Sequence, residues 1–186
     1  LCNFLCSMQK EPGISAQDKL LAVTTISFDI SGLELYLPLI SGAELLITDA
    51  ELAKDARELL DLVRTEKVSI MQATPSTWRM MVESNWNERI DLKVLCGGEA
   101  LSKDLAESLL TRCTSLWNMY GPTETTIWSA VKEIKDTDAQ ISIGHPINNT
   151  QIYILDQYLR PVSVGRTGEI YIGGAGLARA YLNKPE

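Results

Sequence analysis

Residues 115–128 read SLWNMYGPTETTIW, from Ser115 to Trp128. The apolar run Leu116, Trp117, Met119 suits a buried strand, and Gly121-Pro122 ends it, because glycine frees φ and proline fixes it. Thr123, Glu124, Thr125 and Thr126 then put three hydroxyls and one carboxylate on a loop at what would be the carboxyl end of a strand. Open α/β sheets place their ligands at that end. Hydroxyls bond phosphate oxygens, and a single carboxylate among them can hold Mg2+, which usually sits on one or two carboxylates plus substrate phosphates. Composition alone favours a plainer reading, a polar turn after a core strand.

Upstream, short strands alternate with helices. The β-branched run Lys19–Ser27 reads as a strand ending in Phe28-Asp29, and Ser31–Ile40 as a largely buried helix stopped by Ser41-Gly42. A strand over Glu44–Ile47 follows. Thr48 and Glu51 have the spacing of a capping box for a helix repeating Leu52, Ala56, Leu59, Leu60 and Val63. Val68–Ala73 is the next strand, Pro75 opens a helix running to about Trp86, and Leu92–Cys96 is a strand ending in Gly97-Gly98-Glu99. Ser102 caps a helix to about Arg112, and Leu116–Tyr120 is the fifth strand. This alternation predicts an α/β fold, a parallel sheet with helical crossovers.

After Trp128 the texture changes. Ser129–Ile134, Ile141–Ile143, Gln151–Leu155 and Gly168–Ile172 are short alternating runs separated by Gly, Pro, Asn and Asp, which predicts a small antiparallel β-sheet or half barrel. The expected division is an α/β subdomain over residues 1–130 carrying the sites and a small, truncated β-rich subdomain over 131–186. Leu1 is not an initiator Met and the chain stops inside a motif, Asn183-Lys184-Pro185-Glu186, so the expectation is an excised piece of a longer polypeptide.

The 186 residues are 45% hydrophobic and 22% charged, with a net charge of −7. That balance fits an ordinary globular chain and argues against nucleic-acid binding or an anionic-membrane anchor. Cys2, Cys6, Cys96 and Cys113 have no CxxC spacing, and His145 is the single histidine. A zinc site is therefore not expected, and reduced thiols in a cytoplasmic protein are. His145, on a Gly-His-Pro turn, is left without a role.

The heptapeptide Tyr120-Gly121-Pro122-Thr123-Glu124-Thr125-Thr126 resembles the nucleotide-binding core of the adenylate-forming enzymes, in particular the amino-acid-activating adenylation domains of nonribosomal peptide synthetases. The resemblance runs over nearly the whole chain and implies part of the large N-terminal domain of such an enzyme. It implies the cofactors ATP and Mg2+, with Thr123 and Glu124 catalytic and Glu124 the metal carboxylate. Gly97, Gly98, Glu99, Asn118, Met119, Tyr120, Gly121 and Thr123 would meet the nucleotide, Asn118 reading the adenine amino group and Tyr120 stacking on the ring. Thr25–Glu34, TISFDISGLE, resembles the segment whose aspartate, here Asp29, receives the α-ammonium of an amino acid. From the residues alone, Asp29 reads rather as a helix N-cap, since Asp before a helix is commonplace. Gly168–Leu182 resembles the glycine-rich block before the ribose-binding segment, departing from it at Ala180, where the family usually has glycine.

The side-chain pocket maps to Asp29, Ile30, Leu33, Gln72, Leu95, Gly97, Met119, Ile127 and Trp128. Ile30, Leu33, Met119, Ile127 and Trp128 are bulky enough to fill a cavity, and the set resembles that of glycine-activating domains. Glycine is the first expected substrate and alanine the second. The aminoacyl-AMP would pass to the phosphopantetheine of a peptidyl carrier domain, beside a condensation domain in the parent chain. An upstream phosphate loop, a downstream ribose-binding aspartate and a C-terminal domain with a catalytic lysine are absent from these residues, so the isolated piece is expected to be inactive. The rivals are an acyl- or aryl-CoA ligase, against which Asp29 argues because plain acids carry no ammonium, and a non-catalytic carrier-binding module.

Overall fold

The chain is described from a computed structural model covering residues 1–136 and 138–184, so Pro185 and Glu186 of the terminal motif lie outside the described residues. In order, the elements are α1 (Cys2–Met8), β1 (Lys19–Ala22), α2 (Ser31–Ser41), β2 (Glu44–Ile47), α3 (Ala56–Thr65), β3 (Ile70–Ala73), α4 (Pro75–Glu83), β4 (Lys93–Gly97), α5 (Lys103–Leu110), β5 (Ser115–Tyr120), β6 (Ala130–Ile134), β7 (His145–Pro146), β8 (Thr150–Leu155) and β9 (Glu169–Gly174). Among the described residues no helix is long and apolar enough to cross a membrane.

Seven strands form one sheet in the order β2-β1-β3-β4-β5-β6-β7. The first five are parallel, and β6 and β7 pair antiparallel. The parallel sheet with helical crossovers is therefore as the sequence predicts. The small antiparallel sheet is narrower than expected. Among the described residues only β8 and β9 form it, while the run at Ser129–Ile134 joins the large sheet and Ile141–Ile143 is not a strand. The expected 130/131 boundary falls inside β6.

Side chains alternate across the strands, so the sheet buries a different set on each face. Leu21, Met71, Ala73, Val94, Cys96 and Leu116 pack against α3, α4 and α5, with Trp78 and Trp86 fully buried. Leu20, Ile70, Leu95, Trp117 and Met119 face α1 and α2. Helix α3 has Leu59, Leu60 and Val63 on its buried side and charge on the other, the arrangement that stabilises a short helix by packing.

Local hydrogen bonds explain where elements depart from their expected ends. Strand β1 stops at Ala22 rather than Ser27 because the amides of Val23 and Thr24 donate to the Glu34 carboxylate instead of to a strand. The capping box at Thr48 does not form. Asp49 accepts from Glu51 and Leu52 over a 3-10 turn, and α3 begins later, at Asp55, whose Oδ1 accepts from the amides of Arg57 and Glu58. Val68 still donates back to the Val63 carbonyl, which delays β3 to Ile70. Left-handed Asn85 ends α4 before Trp86. Ser102 sits at the cap of α5 without capping it, its hydroxyl accepting from Arg79 instead. Helix α2 is half-buried rather than largely buried: Tyr36, Leu39 and Ile40 are exposed.

Candidate active site

From β1 the chain crosses by α2 to β2 on one side, then by α3 back past β1 to β3 on the other. This is the 2-1-3-4-5 order, whose crevice opens between β1 and β3 at the carboxyl ends of the strands. Asp29 lies on the loop that leads from the carboxyl end of β1 to α2, half-buried. It caps no helix, because α2 starts without a side-chain cap and Asp29 contributes only its carbonyl, which accepts from the Gly32 amide at 2.9 Å. Among the described residues its carboxylate has no hydrogen-bond or ion-pair partner. A partly buried carboxylate without one suits a cationic ligand.

Ile30, Leu33, Leu95, Met119, Ile127 and Trp128 pack in one apolar cluster beside Asp29. Gln72, on β3, is fully buried among them. Its Oε1 accepts from Trp128 Nε1 at 2.8 Å, and its Nε2 donates to the Ile30 carbonyl at 2.9 Å and to Glu34 Oε1 at 2.8 Å. Gly97 belongs here by necessity. A Cβ at that position would stand 2.6 Å from the Trp128 ring and 2.7 Å from the Met119 carbonyl oxygen. Eight of the nine expected pocket positions thus come together, with Asp29 next to them in the chain, but Gln72 acts as an internal tie rather than an open wall.

Trp128 and Met119 also line a cleft of about 370 Å3, together with Gly98, Glu99, Ala100, Leu101, Asn118, Tyr120, Gly121 and Ile143. It brings together the expected nucleotide residues except Gly97, which is buried beneath it, and Thr123. Asn118 Nδ2 donates to the Ser142 carbonyl at 2.9 Å. That bond orients the amide and leaves Oδ1 as an acceptor, the atom a donor such as an exocyclic amine requires. Glu99 accepts from Ser76 Oγ at 2.8 Å at the exposed rim.

The hydroxyl-rich loop is less open than its composition suggests. Thr123–Thr125 form a 3-10 turn, after which Thr126 and Ile127 both take left-handed conformations, φ 66° and 70°. Two β-branched residues there are strained, at a cost of about 1–3 kcal/mol each. Thr125 Oγ1 is buried against Ser129 Oγ at 2.5 Å, and Thr126 Oγ1 donates to the Gly176 carbonyl at 2.7 Å. Thr123 and Glu124 remain exposed, so of the loop hydroxyls expected to touch phosphate Thr123 is the one left free of these internal bonds. The glycine-rich block lies against this loop: the Ala178 amide donates to the Glu124 carbonyl at 2.7 Å. Tyr181 Oη donates to Glu124 Oε1 at 2.9 Å. Glu124's own amide and then Tyr181 hold this carboxyl below the usual range, while the Glu124 bond raises the Tyr181 phenol. Ala180 is not left-handed, so the expected glycine is not needed for φ there.

Among the described residues no three His, Cys, Asp or Glu side chains gather as a metal site. Glu124 alone fits Mg2+ only as one oxygen donor completed by phosphates. His145 faces Glu11 at 3.3 Å and does not line the cleft. The residue that sequence reasoning passed over is Glu34, 0% exposed within α2. Burial pushes its carboxyl up, against the opposing pull of bonds from Thr24, Gln72 and Val23. The available signal was its place inside the apolar stripe Ile30, Leu33, Leu37, where a carboxylate needs partners. Tyr181 was missed for the plainer reason that its contact spans 57 residues.

The family described as AMP-binding enzyme matches residues 1–182. A dimodular nonribosomal peptide synthase of Bacillus subtilis is 48% identical over the whole chain, which spans 8% of that protein. A PKS-NRPS hybrid synthetase of Aspergillus niger is 43% identical, again over the whole chain and 10% of its own length. Among solved structures, a four-domain nonribosomal peptide synthetase bound to AMP and glycine superposes with a TM-score of 0.93 at 45% identity, covering 96% of this chain and 14% of that one. The N-terminal subdomain of Klebsiella oxytoca NpsA, in complex with 3-hydroxyanthranilyl-AMSN, gives a TM-score of 0.81 at 25% identity over 92% of this chain and 44% of that one.

Proposed function

The chain belongs to the AMP-binding enzymes, on the branch of the nonribosomal peptide synthetase adenylation domains, and from that premise we propose that it activates glycine, with alanine second. The reaction is amino acid plus MgATP to aminoacyl-AMP and pyrophosphate, followed by transfer to the phosphopantetheine thiol of a carrier domain. One observation carries the choice of substrate: a carboxylate without a hydrogen-bond or ion-pair partner among the described residues, Asp29, next in the chain to an apolar cluster that includes Trp128. Asp29 receives the α-ammonium, and the cluster leaves no space for a long side chain. The glycine in the superposed synthetase supports this reading.

The remaining roles follow from position. The adenine enters the cleft between Gly98-Glu99 and Tyr120-Gly121, with Asn118 Oδ1 as acceptor for its amino group. Thr123 Oγ1 meets phosphate, and Glu124 would hold Mg2+ together with the phosphates. That cation neutralises charge on the phosphates when bound. The chain's own part is positioning, which converts a bimolecular attack of carboxylate on phosphate into one within a complex.

Amino-acid-dependent ATP–pyrophosphate exchange by the full-length polypeptide, with glycine, alanine, leucine and propionate compared, tests the proposal. Exchange with glycine well above the others is expected. Leucine preference would refute the filled pocket, propionate alone would point to an acyl ligase, and no exchange at all would favour a carrier-binding module.

A further inference from the structure

The wall around Trp128 is set by a chain of hydrogen bonds that runs in one direction. An indole N–H only donates, so the buried Trp128 Nε1 requires the Gln72 oxygen, which lies 2.8 Å away. That orients the Gln72 amide, whose two hydrogens go to the Ile30 carbonyl and to Glu34 Oε1. Glu34 Oε1 also accepts from Thr24 Oγ1 at 2.6 Å, and Oε2 from the amides of Val23 and Thr24, each at 2.9 Å. All four partners of Glu34 are donors. No other arrangement of the Gln72 amide satisfies both of its ends.

These bonds tie together the end of β1, helix α2, strand β3 and the loop carrying Trp128. Two things near the substrate depend on them. The indole is kept against Gly97, and the backbone at Ile30, next to Asp29, is held by the same amide. Stability alone does not call for a buried carboxylate, since apolar replacements of such groups are often neutral.

We propose that Glu34 is a positioning residue for substrate selection, holding Trp128 through Gln72 so that the amino-acid pocket stays closed to side chains larger than glycine's. The inference rests on the amino-acid-activation reading above. Glu34→Gln keeps the shape but must turn an NH2 toward donors, and Gln72→Met removes the middle link at similar volume.

The test uses the full-length polypeptide labelled with 5-fluorotryptophan, the Trp128 19F resonance being assigned by its loss in Trp128→Phe. In Glu34→Gln and Gln72→Met that resonance shifts while those of Trp78 and Trp86 stay. The kcat/KM ratio for glycine over alanine falls about tenfold, chiefly through KM, in pyrophosphate exchange. If Glu34→Gln fails to fold, Gln72→Met interrupts the same chain. An unmoved Trp128 resonance overturns the proposal whatever the activity. A shifted resonance with an unchanged glycine-to-alanine ratio also overturns it, leaving the network a structural one. A wild-type preference for another amino acid refutes glycine, and the ratio is then read between that substrate and the next larger one. Absence of exchange with every amino acid sinks the activation reading and the selection role together, and the resonance still reports separately whether Glu34 positions Trp128.

Discussion

The two faces of the seven-stranded sheet are filled by different means. Against α3, α4 and α5 the packing is almost purely apolar, with Trp78 giving its N–H to the Leu95 carbonyl and Trp86 Nε1 without a partner among the described residues. Against α2 a carboxylate and an amide, Glu34 and Gln72, are buried among leucines and tryptophan. One face needs only volume. The other needs its polar side chains in one orientation, because their hydrogen bonds are satisfied in no other.

If that division is right, Trp78→Ala lowers stability by about 3–5 kcal/mol through cavity formation. Exchange activity per folded molecule changes little, and denaturant midpoints with active-site titration check both. A loss below about 1 kcal/mol would erase the distinction. Asp29→Asn, on the other side, leaves the midpoint within about 0.5 kcal/mol, since no bond is broken. It lowers kcat/KM for the amino acid about 100-fold, roughly 2.8 kcal/mol of transition-state binding, as steady-state exchange would record. Gly97→Ala sharpens the comparison at the boundary. Its methyl has no room beside Trp128 and Met119, so about 1–3 kcal/mol of overpacking is expected together with a weakened preference for glycine over alanine.

The mildest contrast concerns the thiols. Burial pushes Cys96 up to about 12 and Cys113 up to about 11, and both lie in the apolar face. Cys2 and Cys6 are exposed on α1. Alkylation at neutral pH followed by mass spectrometry should therefore mark Cys2 and Cys6 and spare the other pair, with no change in stability. Labelling of Cys96 at the same rate would mean that the apolar face opens.

Much of this was legible from the residues. The five parallel strands announced themselves as β-branched or apolar runs, whereas β7 at His145–Pro146 reads as a turn, and Gly121-Pro122 marks the end of β5 where the cleft begins. What local pattern does not carry is pairing over distance. Ser129–Ile134 reads as a strand of any sheet, and only its register with β5, Leu116 opposite Ile134, attaches it to the large one. Resemblance marks Asp29, Gln72 and Trp128 as expected pocket positions. The bond between Gln72 and Trp128 was not legible, because it joins residues 56 apart. Glu34 hid for the opposite reason: a single glutamate in a helix is usually solvated, and its burial depends on donors from a strand end that had itself been read as continuing.

The contact between Gly97 and the Trp128 ring has a bearing on how such a chain can be retooled. Enlarging the pocket by replacing Trp128 alone strands the Gln72 oxygen inside an apolar cluster, and replacing Gln72 alone strands the indole. Each single step passes through a molecule with an orphaned polar atom. A change at these two positions therefore avoids an orphaned polar atom only when 72 and 128 are replaced together.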